Sequence, residues 1–497
     1  MRAAGVLLSV TSLPSKYGIG SFSGEAYEFV DRVAEAGLTY WQMLPLGPTS
    51  FGDSPYQSFS TFAGNPYFID LDELTAQGLL TKSECEGLDF GSDPRRADYN
   101  KIFKNRLDLL RLAFKRSGNH INEEGYQAFC ESQRFWLEDY ALFMAVKDSQ
   151  NGASWDKWER GIRMRQQDTL IRCAQDLKED VEFYKYLQYL FMSQWKRLKD
   201  YANNRGIQII GDIPVYVAYD SADAWADPEL FQLDGELMPN EVAGCPPDPF
   251  STKGQLWGNP LYRWDKHEQD GYSWWLRRIS YSCRLYDVVR IDHFRGFDEY
   301  YAIPYNADTA EQGRWRKGPG LDLFHAIIKS FENIKIIAED LGFVTESVRQ
   351  LINDTGYPNM KVLQFAFDSR DTGSKNDHLP HNYRKNCVVY TGTHDNDTIA
   401  GWYKSLQGGD RRAADDYLDI TNPDSEDIHW KFIRLAMLSV AELCVIPMQD
   451  YLGLGSEARM NTPSTLGDNW QWRMLRGEFT KALAGRIREI ARVSGRV

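Results

Sequence analysis

The chain has 497 residues, a formal net charge of −13 at pH 7 and 13% aromatic residues. That length can bury a large core, so one enlarged domain is as compatible with it as several modules. The negative balance argues against partners held by phosphate neutralisation, nucleic acid and anionic membrane surfaces alike; an uncharged partner fits better, and 15 Trp with 27 Tyr offer flat faces on which sugar rings stack.

In chain order, a buried strand is predicted first, over 5–9. The amino-terminal Met-Arg-Ala-Ala-Gly-Val-Leu-Leu resembles a short secretion signal, but Ser12-Leu13-Pro14 follows where a small-residue cleavage site would stand. Further strands are predicted over 39–44, 207–213, 287–292, 334–339, 361–367, 387–393 and 444–449. Several are apolar at consecutive positions, as in strands covered on both faces. A helix is predicted over 181–202, where Leu187, Leu190, Phe191, Trp195, Leu198 and Tyr201 recur at three- and four-residue steps before Asn203-Asn204-Arg205-Gly206 ends it.

Eight strands alternating with helices predict an α/β protein with a (β/α)8 TIM barrel. Spacing is uneven, because about 50–205 reads mostly as helices and about 214–286 is rich in Pro and Gly. Structureless loops of that length are uncommon in a compact domain. We therefore expect one domain over 1–497 carrying inserted, largely helical subdomains at those two places. The seven cysteines are scattered without a Cys-x-x-Cys pair, which predicts reduced thiols in a cytoplasmic protein, with no disulfide framework and no zinc site. No run of about 18 apolar residues suggests a membrane span.

Three acids stand at the exits of apolar runs: Asp292 in Val-Val-Arg-Ile-Asp-His, Glu339 in Ile-Lys-Ile-Ile-Ala-Glu-Asp and Asp395 in Thr-Gly-Thr-His-Asp-Asn-Asp. A barrel gathers its active site at the carboxyl ends of its strands, and glycosidic-bond chemistry needs carboxylates converging from separate strands. Arg290 and Asp292 leave the same strand face, so the guanidinium favours an ionised, nucleophilic Asp292, although a structural ion pair would look the same. Glu339 follows Ile337 in semi-apolar surroundings that favour a retained proton, which suits a general acid/base. Its neighbour Asp340 projects the other way and reads as structural.

His394-Asp395-Asn396-Asp397 lacks both a second His at helical spacing and the glycine of a calcium loop, and His378 with His381 lies in a polar, Pro-containing loop. No metal is expected. No glycine pattern matches a nucleotide-binding loop either, so no cofactor is expected.

Taken together with Ser12-Leu13-Pro14-Ser15, Ser54-Pro55-Tyr56-Gln57-Ser58, Gly211-Asp212-Ile213-Pro214, Pro246-Pro247-Asp248 and Gln255-Leu256-Trp257-Gly258-Asn259-Pro260, these motifs closely resemble the 4-α-glucanotransferases (amylomaltases, disproportionating enzymes) of the α-amylase clan, nearly end to end. The place five residues after Asp212, where clan amylases typically carry a His, is Val217, in keeping with the transferase pattern. The resemblance implies retaining transfer of α-1,4-glucan segments from a donor to a glucose or maltooligosaccharide acceptor. Asp292 would be the nucleophile, Glu339 the acid/base and Asp395 the stabiliser of the transition state. It further implies that Arg290 orients Asp292, that Asp212 and His394 hold the sugar nearest the cut, and that Tyr56 stacks on it with Ser54 alongside. Asp248, Gln255 and Trp257 would belong to a loop folding over bound glucan, with Phe365, Asp368 and Asn461 at neighbouring subsites; for Phe365 and Asn461 a packing role remains open. A hydrolase with the same acids, a silent glucan-binding scaffold and a metal-dependent hydrolase are the competing readings.

Overall fold

The computed structural model describes residues 2–50, 52–118, 123–247, 252–342, 344–368, 373–422 and 427–497. In chain order its first strands are β1 (Ala3–Leu7), β2 (Tyr40–Gln42), β3 (Gln208–Pro214), β4 (Glu241–Cys245), β5 (Gln255–Pro260) and β6 (Val288–Asp292). They are followed by β7 (Glu299–Pro304), β8 (Arg314–Lys317), β9 (Ile336–Ala338), β10 (Asn359–Val362), β11 (Cys387–Tyr390) and β12 (Leu443–Pro447).

Eight of these close a parallel barrel in the order β1-β12-β11-β10-β9-β6-β3-β2. The consecutive apolar residues are explained by this closure, since the inner face fills the barrel and the outer face meets helices. All four residues of β11 are buried, as are Trp41 on β2 and Val445 and Ile446 on β12. Each such large side chain contributes roughly 1.5–3 kcal/mol when taken out of water. Gly211 on β3 is required by packing, because a Cβ there would lie 2.1 Å from the ring of Tyr286.

At the amino end of the barrel, Arg496 closes the floor. Its guanidinium donates to the carbonyls of Ala3 on β1 at 2.8 Å, of Met437 near the end of the helix Ile428–Leu438 at 2.7 Å and of Ala441 just before β12 at 2.9 Å, giving buried backbone oxygens a donor.

The first insertion is helical, with its longest members Tyr99–Arg116, Glu124–Ser149 and Lys178–Asn204. The last of these contains the helix expected over 181–202, and Gly206, at φ +75°, turns the chain into β3. The second excursion combines helices, Ala222–Ala226, Trp264–Gln269 and Ser273–Leu285, with strands that were not expected there. It builds an antiparallel sheet in the order β5-β4-β7-β8, drawing β7 and β8 from beyond residue 286.

The strand expected over 361–367 also changes: β10 ends at Val362 and Leu363–Phe367 forms a 3-10 turn. Leu363, Ala366 and Phe367 are buried there as they would be in a strand, and an unbroken apolar run does not distinguish the two.

Candidate active site

Asp292 is the final residue of β6, and Arg290 points the same way two residues earlier. Asp212 on β3 is the register partner of Arg290. One guanidinium nitrogen of Arg290 donates to both oxygens of Asp212, at 2.7 and 2.6 Å, while the other lies 3.0 Å from Asp292. Asp212 is fully buried, whereas the Asp292 side chain keeps 29% of its surface open. A buried ion pair therefore fixes the guanidinium against the more exposed carboxylate. Asp212 itself, expected to hold sugar, accepts from Arg290 with both oxygens and from the Tyr56 hydroxyl at 2.8 Å.

Glu339 lies one residue beyond β9 and is buried. Its oxygens accept the backbone N–H groups of His293 and Leu341, each at 2.6 Å. The backbone of His293 is left-handed (φ +52°), uncommon for a residue with a side chain and a feature that clusters at functional sites.

Burial pushes the Glu339 carboxyl up to about 8, and the Asp292 charge adds to that against the opposing pull of Arg290 and the two N–H donors. Asp292 rises too, to about 6: burial outweighs the Arg290 guanidinium, contrary to the expectation that the guanidinium would decide. The two carboxyls interact, so between these values one proton is shared by the pair, resting mainly on Glu339. That leaves an anion beside an acid.

Asp395 lies beyond β11 on a turn, with 47% of its side chain exposed. Asn461 donates to its Oδ1 at 2.6 Å, and Arg459 to its backbone carbonyl at 2.7 Å. His394 sits 3.5 Å from its other oxygen and stacks on Tyr56, the ring centroids 5.1 Å apart at 21°. Ser54 accepts from the Tyr56 N–H at 3.3 Å, so it shapes the turn that presents the ring. Asn396 and Asp397 are engaged within this turn, accepting from Thr393 and from Thr398 and Ser456.

Gln255 and Trp257 occupy β5, the edge strand of the antiparallel sheet, where the sequence suggested only a loop. Gln255 accepts from the Trp257 indole at 3.0 Å, and the indole meets the His293 ring edge-on at 4.8 Å, beside Asp292 and Glu339. Asp248 lies outside the described residues. Phe365 and Asp368 follow β10, the Phe365 ring against His378 at 5.4 Å. His378 accepts from the Val362 N–H, and His381 meets Tyr417 and Ser374, so the two rings have separate partners. Asp340 ties β9 to β10 by accepting from Asn359 and Met360, the structural role expected for it. Among the described residues, no three His, Cys, Asp or Glu side chains gather as a metal site.

Sequence reasoning missed His293, Arg459 and Trp470, whose ring lies 5.8 Å from Tyr56 and 5.9 Å from His394. None carries a local signal, because each acts through a backbone angle or a long-range contact.

A family model described as 4-alpha-glucanotransferase matches residues 8–478. The chain is 49% identical to a 4-alpha-glucanotransferase of Clostridium butyricum, over 98% of this chain and all of the relative. It is 47% identical to one of Thermus thermophilus, over 100% and 99% of the two chains. An amylomaltase from Streptococcus agalactiae, solved in complex with acarbose, superposes with a TM-score of 0.96 at 41% identity, all of both chains being covered. A barrel with three acids at its carboxyl mouth and likeness of this extent together assign the chain to the 4-alpha-glucanotransferase family.

Proposed function

We propose that this chain transfers α-1,4-glucan segments between maltooligosaccharides with retention, through a covalent glucosyl ester on Asp292. The observation that carries the reading is the unequal pair formed by Asp292 and Glu339, with Arg290 against the anion. In the first step the Asp292 carboxylate bonds to the anomeric carbon while the C1–O bond breaks. Glu339 gives its proton to the departing 4-oxygen. In the second, the 4-hydroxyl of an acceptor attacks the ester, Glu339 takes the proton back, and Asp292 leaves as the carboxylate.

Asp395, open to the groove and oriented by Asn461, supports charge at the sugar between the two steps and accepts from its hydroxyls. Tyr56 and His394 form the wall of the pocket for that sugar. Trp257 covers the acid/base from β5 and favours a sugar acceptor over water by keeping the ester dry. Ser54 acts through the Tyr56 turn and Gln255 holds the Trp257 indole in the segment over the glucan, while Phe365 and Asp368 belong to neighbouring subsites. Among the described residues no disulfide joins any of the cysteines, which supports work in a reducing cytoplasm, and no helix among them is long and apolar enough to cross a membrane.

The test is incubation of the purified protein with maltotriose, following both the oligosaccharide ladder and total reducing ends. Free glucose with a ladder at constant reducing ends is expected, and Asp292→Asn should abolish it with the fold intact. Rising reducing ends without a ladder would make the chain a hydrolase.

A further inference from the structure

The loop 461–470 touches the pocket at both of its ends. Asn461 holds Asp395, and Trp470 packs its ring against Tyr56 and His394. Ser464, Gly467, Asp468 and Trp470 all have left-handed backbones, at φ +64°, +78°, +54° and +63°. For a bulky aromatic residue that conformation is an outlier, and it persists only where the surroundings impose it.

The surroundings here come from the helical insertion. The buried Tyr99 donates its hydroxyl to the Trp470 carbonyl at 2.8 Å. The Trp470 N–H is taken by the Met460 carbonyl at 2.7 Å, so both peptide groups of the strained residue are held. Next to it, Arg96 donates to Asp468 and Gln471, and the Ala97 N–H donates to the Gln471 carbonyl. Trp470 is 7% exposed, and its ring packs against both members of the stacked pair.

We infer that Trp470 is a positioning residue for this reaction: the insertion forces its backbone left-handed, and its indole thereby clamps Tyr56 and His394 in the stacked arrangement. Tyr56 in turn bonds Asp212, which fixes Arg290 against the nucleophile. A ring displaced from Trp470 loosens this whole series, so the helical insertion, distant in sequence from the acids, sets their geometry. The inference rests on the proposed sugar-binding role of Tyr56 and His394.

The experiment measures kcat, KM and thermal unfolding on maltotriose for Trp470→Leu, Trp470→Phe and Tyr99→Phe, with Tyr56→Ala and His394→Ala beside them. Trp470→Leu should lower kcat about 10- to 100-fold at temperatures where it is folded, the size expected of a misplacement near an ångström, with KM changed less than about threefold. Trp470→Phe, which keeps a flat ring, should recover most of that loss, and Tyr99→Phe should lower kcat by several fold with the fold intact.

A folded Trp470→Leu with wild-type kcat would overturn the inference, and so would a loss confined to KM, which would make the indole a sugar contact. Should Trp470→Leu not fold, wild-type kcat in Tyr99→Phe overturns it on its own. If Tyr56→Ala and His394→Ala keep wild-type kinetics, the pocket reading is what fails; if they are impaired while the Trp470 and Tyr99 variants are not, the clamp alone fails.

Discussion

Arg290 and Asp212 are paired across β6 and β3 with both carboxylate oxygens on one guanidinium nitrogen, wholly out of solvent. Removing Asp212 leaves the buried guanidinium with Asp292 as its remaining counter-charge, and breaking a buried pair from one side costs about 3–5 kcal/mol. Asp212→Ala should therefore lower stability by about that amount in a urea titration. It should also lower kcat/KM by at least about 100-fold, because Arg290 and Tyr56 lose their common anchor. A variant with normal turnover would show that Asp292 needs no fixed guanidinium.

The pH dependence follows from the two raised carboxyls. Turnover needs Asp292 ionised and Glu339 protonated, so kcat/KM should rise as pH climbs through about 6 and fall as it passes about 8. The limits belong to the coupled pair. Glu339→Gln, assayed with a glycosyl fluoride whose leaving group needs no proton, should lose the alkaline limb; a retained limb would assign it to another group.

Asn461 makes a 2.6 Å hydrogen bond to Asp395. A bond to a charged group contributes about 1.5–3 kcal/mol, so Asn461→Ala should reduce kcat by roughly 10- to 100-fold while leaving thermal unfolding nearly unchanged. A drop in Tm with unaltered kcat would make Asn461 a packing residue of its loop.

His267 is fully buried among Tyr262, Trp264 and Trp274. Burial holds its imidazole down to about 4, below the ordinary 6.5. The unfolded chain binds the extra proton first, so the stability it contributes is complete above pH 6.5 and is lost as pH falls toward 4. At pH 5 the loss is about 2 kcal/mol. His267→Phe should accordingly lose less stability than wild type between pH 7 and pH 5, measured by urea midpoints; an equal loss would place the acid sensitivity elsewhere.

The barrel was legible because parallel strands covered on both faces leave consecutive apolar residues, and each of the eight expected runs overlaps a barrel strand. The antiparallel sheet was not, since β4 must pair with β7 across more than fifty intervening residues and neither alternates cleanly. Asp292 and Glu339 stand out by position, as acids at the exits of buried runs. Asp395 is less regular: β11 ends at Tyr390, and a turn carries the acid onward. Asp212 offered no hint in sequence that both of its oxygens would be used inside the protein. Trp470 and His293 were invisible for another reason, because what sets them apart is a backbone angle, and nothing local to either residue dictates it.

The pairing of β1 with β12 also governs when a growing polypeptide can become active. Synthesis delivers β1 first, and its partner only after all three acids have been made. A nascent chain that has passed Asp395 but not Leu443 thus holds every reacting group around an unclosed ring. Asn461 and Trp470 follow still later, and Arg496, which bonds the ends of both closing strands, later again. Competence on the ribosome is therefore expected to arrive in one late step, with the seam of the barrel as its timer.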